Sequence, residues 1–219
     1  MMAQRGVTRR MLIGGALAMG GALAGGALCV IPGGTSQAQA DEGISTADAH
    51  RDGMQYGFIV NAHRCINCGH CIEACRLWNR TPEEEQARRR ISTYQVRDGG
   101  EVYLSTSCMH CERPSCMDVC PAGAITKGDG GIVHVDGDRC IGCKYCYQAC
   151  PYGVPHYNSS GMDKCDFCSE VGVELGDRPH CVRACKTGAL RCGPLDELLA
   201  KSERVRQLDG PNGPSLVLR

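Results

Sequence analysis

Sixteen cysteines between Cys65 and Cys185 fall in four groups of four, and they constrain this chain more than anything else in it. The groups read Cys65-x2-Cys68-x2-Cys71-x3-Cys75, Cys108-x2-Cys111-x4-Cys116-x3-Cys120, Cys140-x2-Cys143-x2-Cys146-x3-Cys150 and Cys165-x2-Cys168-x12-Cys181-x3-Cys185. The third, followed by Pro151, has the spacing in which three thiolates hold one iron–sulfur cluster and the fourth reaches a second. Two residues between ligands let one turn of backbone present successive sulfurs to a single cluster. The fourth cysteine of each group sits where the chain has turned into a helix and points to a neighbouring site. At four thiolates per cluster, sixteen supply four [4Fe–4S] centres, and the remaining residues are expected to wrap them.

Composition agrees with a fold held by metal. The 219 residues include one Trp, two Phe, 29 Gly and 10 Pro, poor material for a large apolar core. Clusters that tie distant segments supply the missing stability, so the metal-free chain is expected to be largely unfolded. The formal charge is zero overall and −3 beyond residue 40, and thiolate-bound clusters add further negative charge. With no basic stripe, nucleic acid is excluded as a partner.

The first 40 residues carry Arg5, Arg9 and Arg10 and no acid. The twin arginine Arg9-Arg10 precedes an apolar, Gly/Ala-rich run from Met11 to Ile31, and Ala38-Gln39-Ala40 offers a small-x-small cleavage site. This is the pattern of a cleaved twin-arginine export signal, which carries proteins already folded around cofactors. An uncleaved membrane anchor is the alternative, disfavoured by the six glycines in the run. The chain is therefore expected on the periplasmic, extracytoplasmic face of the membrane, with Cys29 lost along with the signal. Residues 41–55 read as a flexible leader.

Downstream, Tyr56–Asn61 has the apolar and β-branched content of a short strand feeding the first cysteine group. Thr81-Pro82-Glu83-Glu84-Glu85 predicts a helix start, with an N-cap, Pro at the first position and acids at the positive end. Arg88-Arg89-Arg90 then reads as the solvated far end of that helix. Residues 93–104 alternate about Asp98-Gly99-Gly100 and predict a hairpin, within an insertion spanning 77–107. Ile132–Val135 predicts a strand ahead of the third group. Groups one and three superpose at a constant offset of 75; groups two and four correspond at 57 and then 65, an eight-residue insertion accounting for the change. The chain thus reads as a duplicated two-cluster unit over 56–192. Residues 193–219 read as a C-terminal tail, helical over Leu195–Leu208 and without chemistry of their own.

Two other uses of cysteine compete. An exported chain with an even cysteine count invites disulfides, but tight Cys-x2-Cys pairs are poorly placed for structural cross-links. Zinc uses such pairs too, yet it requires neither a third cysteine two residues on nor a fourth three residues later before Pro. His63, His70, His110, His134, His156 and His180 lie among the cysteines without occupying ligand positions, and are read as neighbours of the ligands or as solvent groups. No Cys-x-x-Cys-His occurs, which excludes covalent c-type haem, and the paired histidines of a Rieske centre are missing. Cys192 reads as an inert spare thiol.

Three stretches carry a family resemblance: Cys108-Met-His-Cys111-Glu-Arg-Pro114-Ser-Cys116-Met-Asp-Val-Cys120-Pro121, Cys140-Ile-Gly-Cys143-Lys-Tyr-Cys146-Tyr-Gln-Ala-Cys150-Pro151-Tyr152-Gly153, and Lys164-Cys165-Asp-Phe-Cys168. Residues 56–192 resemble the four-cluster iron–sulfur subunits of the dimethyl sulfoxide reductase class, whose relatives include the electron-transfer subunits of polysulfide, thiosulfate and tetrathionate reductases and the NrfC-type proteins. The resemblance implies an α+β fold of tandem bacterial-ferredoxin-like units, with short β-hairpins and helices wrapped around four clusters. It also implies crossed ligation: Cys65, Cys68 and Cys71 with Cys185; Cys165, Cys168 and Cys181 with Cys75; Cys108, Cys111 and Cys116 with Cys150; Cys140, Cys143 and Cys146 with Cys120. All sixteen cysteines are present, so no [3Fe–4S] centre is expected. Arg76 and Lys186 stand where Pro usually follows the fourth cysteine, and a nearby cation raises a cluster potential.

No phosphate-binding loop and no nucleophile–base pair occurs, so the expectation is a non-catalytic electron-transfer subunit. It would relay electrons between a membrane quinone-reactive subunit and an extracytoplasmic catalytic subunit, a molybdopterin oxidoreductase. The alternatives are an NrfC-type partner of a multihaem nitrite reductase and a free exported shuttle. A zinc- or disulfide-stabilised binding module is a more distant one.

Overall fold

The structure, a computed structural model, describes residues 53–97, 99–200 and 204–219, so the export signal and most of the leader lie outside the described residues. In chain order the elements are β1 (Tyr56–Val60), α1 (His70–Trp78), β2 (Arg90–Gln95), β3 (Glu101–Thr106), α2 (Ser115–Asp118), β4 (Ile125–Lys127), β5 (Val133–Val135), α3 (Tyr145–Ala149), β6 (His156–Asn158), β7 (Gly161–Asp163), α4 (His180–Arg183), β8 (Leu190–Pro194), α5 (Leu195–Ala200), β9 (Arg206–Gln207) and β10 (Leu216–Leu218). Short strands and helices in mixed order make an α+β fold. No helix among the described residues is long and apolar enough to cross a membrane.

The organising sheet has the order β8-β1-β10-β9. Every residue of β1 is buried, and the two-residue strand period explains how. Tyr56, Phe58 and Val60 face the cysteine side, packing with Ile132, Phe167 and Leu216, while Ile59 faces the other way onto Leu198 of α5 and Val217. The two phenylalanines of the chain, Phe58 and Phe167, meet with ring centroids 4.6 Å apart. Of three two-stranded hairpins, β2–β3 packs Ile91 and Leu104 against this core, while β4–β5 and β6–β7 contribute Ile125, Val133 and Met162 to a second cluster with Cys146.

The predicted strand at 56–61, the hairpin and the strand at 132–135 are present. Residues 193–219 are not a tail. β10 runs parallel to β1 in the register Phe58↔Leu216, and the segment before it is sewn to the second cysteine loop. There the Glu112 and Arg113 amides donate to the Gly213 and Asn212 carbonyls, and the Ser215 amide donates to Met109 O at 2.8 Å. Gly57 permits the approach, since a Cβ on it would lie 2.2 Å from Ser215 O. The expected helix from Thr81 is absent: residues 81–89 are irregular, and Arg76 donates to the carbonyls of Pro82 and of Glu85, the latter at 2.8 Å. Those contacts hold the segment in a loop against its local helix preference.

Candidate functional site

Helix pairs bring the cysteine groups together in a nested arrangement, α1 against α4 and α2 against α3. Cys71 and Cys75 lie one turn apart and buried on α1, the spacing that puts two side chains on one face. Asn79 ends the helix by donating to Cys75 O at 2.7 Å. The loops that feed the helices turn through left-handed backbone at Asn67 and Gly69, and again at Gly142 and Lys144, 75 residues on. His110 and Phe167, 57 residues apart, match in the same way. The left-handed region disfavours side-chain-bearing residues, and such positions collect where a loop must wrap a site.

Cysteines remote in sequence come near one another in several places. Cys165 and Cys168 each lie within electrostatic reach of Cys75 and Cys181, as Cys75 does of Cys181. Cys111 and Cys116 stand in the same relation to Cys108 and Cys150, and all four line one pocket with Val133 and Val154. Cys71 lies within electrostatic reach of both Cys181 and Cys185, with Cys65 and Cys68 on the loop leading into α1. Cys140 and Cys120 pack against the apolar cluster that contains Cys146, and Cys140, Cys143 and Cys146 surround the hydroxyl of Tyr157, which lies 2.9 Å from Cys146 Sγ. No described cysteine is in a disulfide.

Burial favours the protonated form of the thiols of Cys71, Cys75, Cys111, Cys116, Cys146, Cys165 and Cys168. It pushes Cys75 up to about 11 and Cys111, Cys116 and Cys168 up to about 12, with neighbouring sulfurs adding to the shift. Hydrogen bonds already point at several sulfurs. Ala124 N donates to Cys120 Sγ at 3.3 Å, Leu190 N to Cys185 Sγ at 3.4 Å, and Ser105 Oγ lies 3.3 Å from Cys71 Sγ.

The arginines expected at a solvated helix end are instead built into this site. Arg88 pairs with Asp163 at 2.8 Å, Asp166 at 2.9 Å and Glu170 at 2.8 Å. Asp166 in turn accepts from Cys168 N at 3.0 Å and Glu170 N at 2.7 Å, which shapes the Cys165–Cys168 loop. Arg90 donates to the carbonyls of Tyr152 and Gly153. Arg89 is 2 % exposed and forms no ion pair with a carboxylate among the described residues. Burial opposes its charge, and Cys181, Cys165, Cys71 and Cys75 favour it once they are ionised. An unpaired buried guanidinium costs several kcal/mol, roughly, unless an anion lies beside it. Cluster-bound thiolates are that anion, so the residues fit the group their spacing implies. Sequence reasoning missed Arg89 because its counter-charges come from segments remote in the chain.

The predicted histidine roles divide. His110 is 1 % exposed and accepts the Val133 amide at Nδ1, leaving Nε2 buried without a protein partner. His180 stacks on Trp78 at 3.8 Å, between the first and fourth groups. Arg76, expected to influence a cluster, points its guanidinium at the 82–85 loop instead.

Residues 100–195 match a 4Fe-4S dicluster domain family, and residues 64–124 match a second family of the same description. The B subunit of the anaerobic dimethyl sulfoxide reductase of Escherichia coli K12 is 45% identical over 161 residues, 67% of this chain and 77% of that protein. The thiosulfate reductase electron transfer subunit PhsB of Salmonella typhi is 40% identical over 183 residues, covering 75% and 92%. Protein NrfC of Escherichia coli K12 is 39% identical over 155 residues, covering 67% and 68%. Two dicluster domains correspond to four [4Fe–4S] clusters, the number that sixteen cysteines supply, and the chain belongs to the iron–sulfur electron-transfer subunits of the dimethyl sulfoxide reductase class.

Proposed function

We propose that this chain is a non-catalytic electron relay whose sixteen cysteines hold four clusters in the crossed sets given above, within a tandemly duplicated unit. The observation that supports this reading is the nested packing of α1 on α4 and α2 on α3, which brings the first cysteine group beside the fourth and the second beside the third. When bound, such clusters supply one-electron transfer. The chain's own residues hold the sulfurs, exclude water with Phe58, Phe167 and Val133, and donate hydrogen bonds to Cys120 and Cys185.

The duplication is supported by the matched left-handed residues and by matched exposure. Cys68 and Cys143 are the two exposed cysteines among those described, and their repeat-related neighbours Ile66 and Ile141 are 65% and 68% exposed. Each half thus offers one ligand loop to a partner, as a relay requires. We infer that the partners are a molybdopterin-containing catalytic subunit and a membrane quinone-reactive subunit, and that the chain reaches the extracytoplasmic side by its twin-arginine signal. The similarity to the B subunit of dimethyl sulfoxide reductase and to PhsB supports the first partner; the likeness to NrfC supports a second reading, a role in nitrite reduction.

Metal and sulfide analysis of the complex purified gently from native membranes tests the proposal. The expected result is ~16 iron and as much acid-labile sulfide per chain, with molybdenum or tungsten co-purifying. Haem iron without molybdenum moves the chain to the nitrite-reducing branch. Zinc in place of iron overturns the assignment.

A further inference from the structure

We propose that Arg89 is a tuning residue for two of the four centres: a fixed cation shared by the site of Cys71 and Cys185 and the site of Cys75, Cys165, Cys168 and Cys181, holding both reduction potentials up. The inference rests on the ligand assignment proposed above.

Arg89 sits at the entry to β2, and three features fix it there. Nη1 donates to Ser105 O at 3.2 Å and to Ser105 Oγ at 3.1 Å, and Nη2 donates to Ser107 Oγ at 2.9 Å. Its guanidinium carbon lies 4.5 Å over the Phe58 ring. Nε has no protein partner although it is buried. A side chain restrained on two sides and sealed from water is not serving as a surface charge. Nor is it neutralised by a carboxylate, as Arg88 beside it is.

What faces Arg89 is sulfur. The thiols of Cys71, Cys75, Cys165 and Cys181 all lie within its field, and they belong to two different ligand sets. A direct chain of polar contacts reaches one of them, from Nη1 through Ser105 Oγ to Cys71 Sγ. The potential of a thiolate-bound cluster follows its net charge environment and the hydrogen bonds to its sulfurs. A cation buried at low dielectric acts on both centres and is screened little by salt. It stabilises the reduced, more negative form of each. The 77–107 insertion therefore delivers the charge: Arg89 leads into one strand of its hairpin, and Ser105 and Ser107 lie at the end of the other.

The test compares Arg89→Gln and Arg89→Lys with the unmodified protein in the assembled complex, by redox titration followed by EPR, with iron counted in every sample. In R89Q the reduction equilibria of two centres shift at least tenfold toward the oxidised form, 59 mV for a one-electron couple, while the other two stay within threefold. R89K keeps the charge and holds all four within threefold. Full iron in R89Q with no centre shifted tenfold overturns the inference and leaves the cluster assignment standing. Unmodified protein with far fewer than ~16 iron atoms overturns the assignment itself. If R89Q does not load iron, R89K decides: a tenfold fall in its two centres refutes the role of charge, and potentials within threefold uphold it.

Discussion

Arg88→Met is the sharpest probe of how the ligand loop of Cys165 and Cys168 is held. The substitution keeps the aliphatic stem and removes the guanidinium that joins Asp163, Asp166 and Glu170. Glu170 is 54% exposed at its side chain, so its pair contributes no more than about 1 kcal/mol. Asp163 and Asp166 are 16% and 5% exposed, and breaking a buried pair from one side costs about 3–5 kcal/mol. Both retain partners, His156 at 3.1 Å for Asp163 and the Cys168 and Glu170 amides for Asp166, which places the cost near the lower end, about 3 kcal/mol. For a fold of this size that lowers the melting temperature by about 6–12 °C. The assay is thermal loss of the cluster absorption at a fixed scan rate, since cluster loss makes unfolding irreversible. Iron should fall first by one cluster's share, because Asp166 shapes a single ligand loop. Adding Asp166→Asn removes the uncompensated charge and should restore part of the loss. Full iron and a melting temperature within about 2 °C of the unmodified protein would refute the reasoning.

Gly57→Ala should cost at least about 1–3 kcal/mol, read as a lowered melting temperature, because the new Cβ meets Ser215 O at 2.2 Å; an unchanged melting temperature would show that β10 is free to move aside. In the metal-free chain, burial raises thiols from 9.0 to about 11 for Cys75 and about 12 for Cys111, Cys116 and Cys168. The folded metal-free form would keep protons that the unfolded chain releases, so a pH rising from 9 toward 12 further disfavours a fold that already lacks the clusters holding it. Iron must displace those same protons, and reconstitution at fixed iron and sulfide should improve from pH 7 to pH 9; a yield that falls over that range contradicts the protonated-thiol picture.

Spacing alone made the cluster class legible, because cluster geometry is written locally: two residues between sulfurs, then three before the helical one. Short strands such as β1 and the β2–β3 hairpin were legible for the same reason, through alternation about a Gly-rich turn. The Arg88–Arg90 run was not. By local pattern it is a solvated charge cluster, and its acidic partners Asp163, Asp166 and Glu170 lie some eighty positions on. The 81–89 stretch has good helix-start chemistry, yet carbonyls there are taken by Arg76, an outcome decided by tertiary contact. The last residues carried no motif, and the partner of β10 could not be read from period or composition. Gly57 was the one local trace, a strand glycine where another backbone comes close.

The nesting of the helices has a consequence for biosynthesis. The α2–α3 pair lies inside the α1–α4 pair along the chain, as inner brackets lie inside outer ones. A ribosome delivers the inner pair complete while the outer pair still lacks its second half. With the crossed sets proposed above, early-emerging Cys65–Cys75 would wait, with thiols open, for Cys165–Cys185. Pairing of β10 with β1 comes later still, and contacts so remote in sequence form slowly. On the ligand sets proposed above, metallation is expected to proceed from the centre of the chain outward, with the sheet closing last over the second cysteine loop, as a latch on a loaded protein.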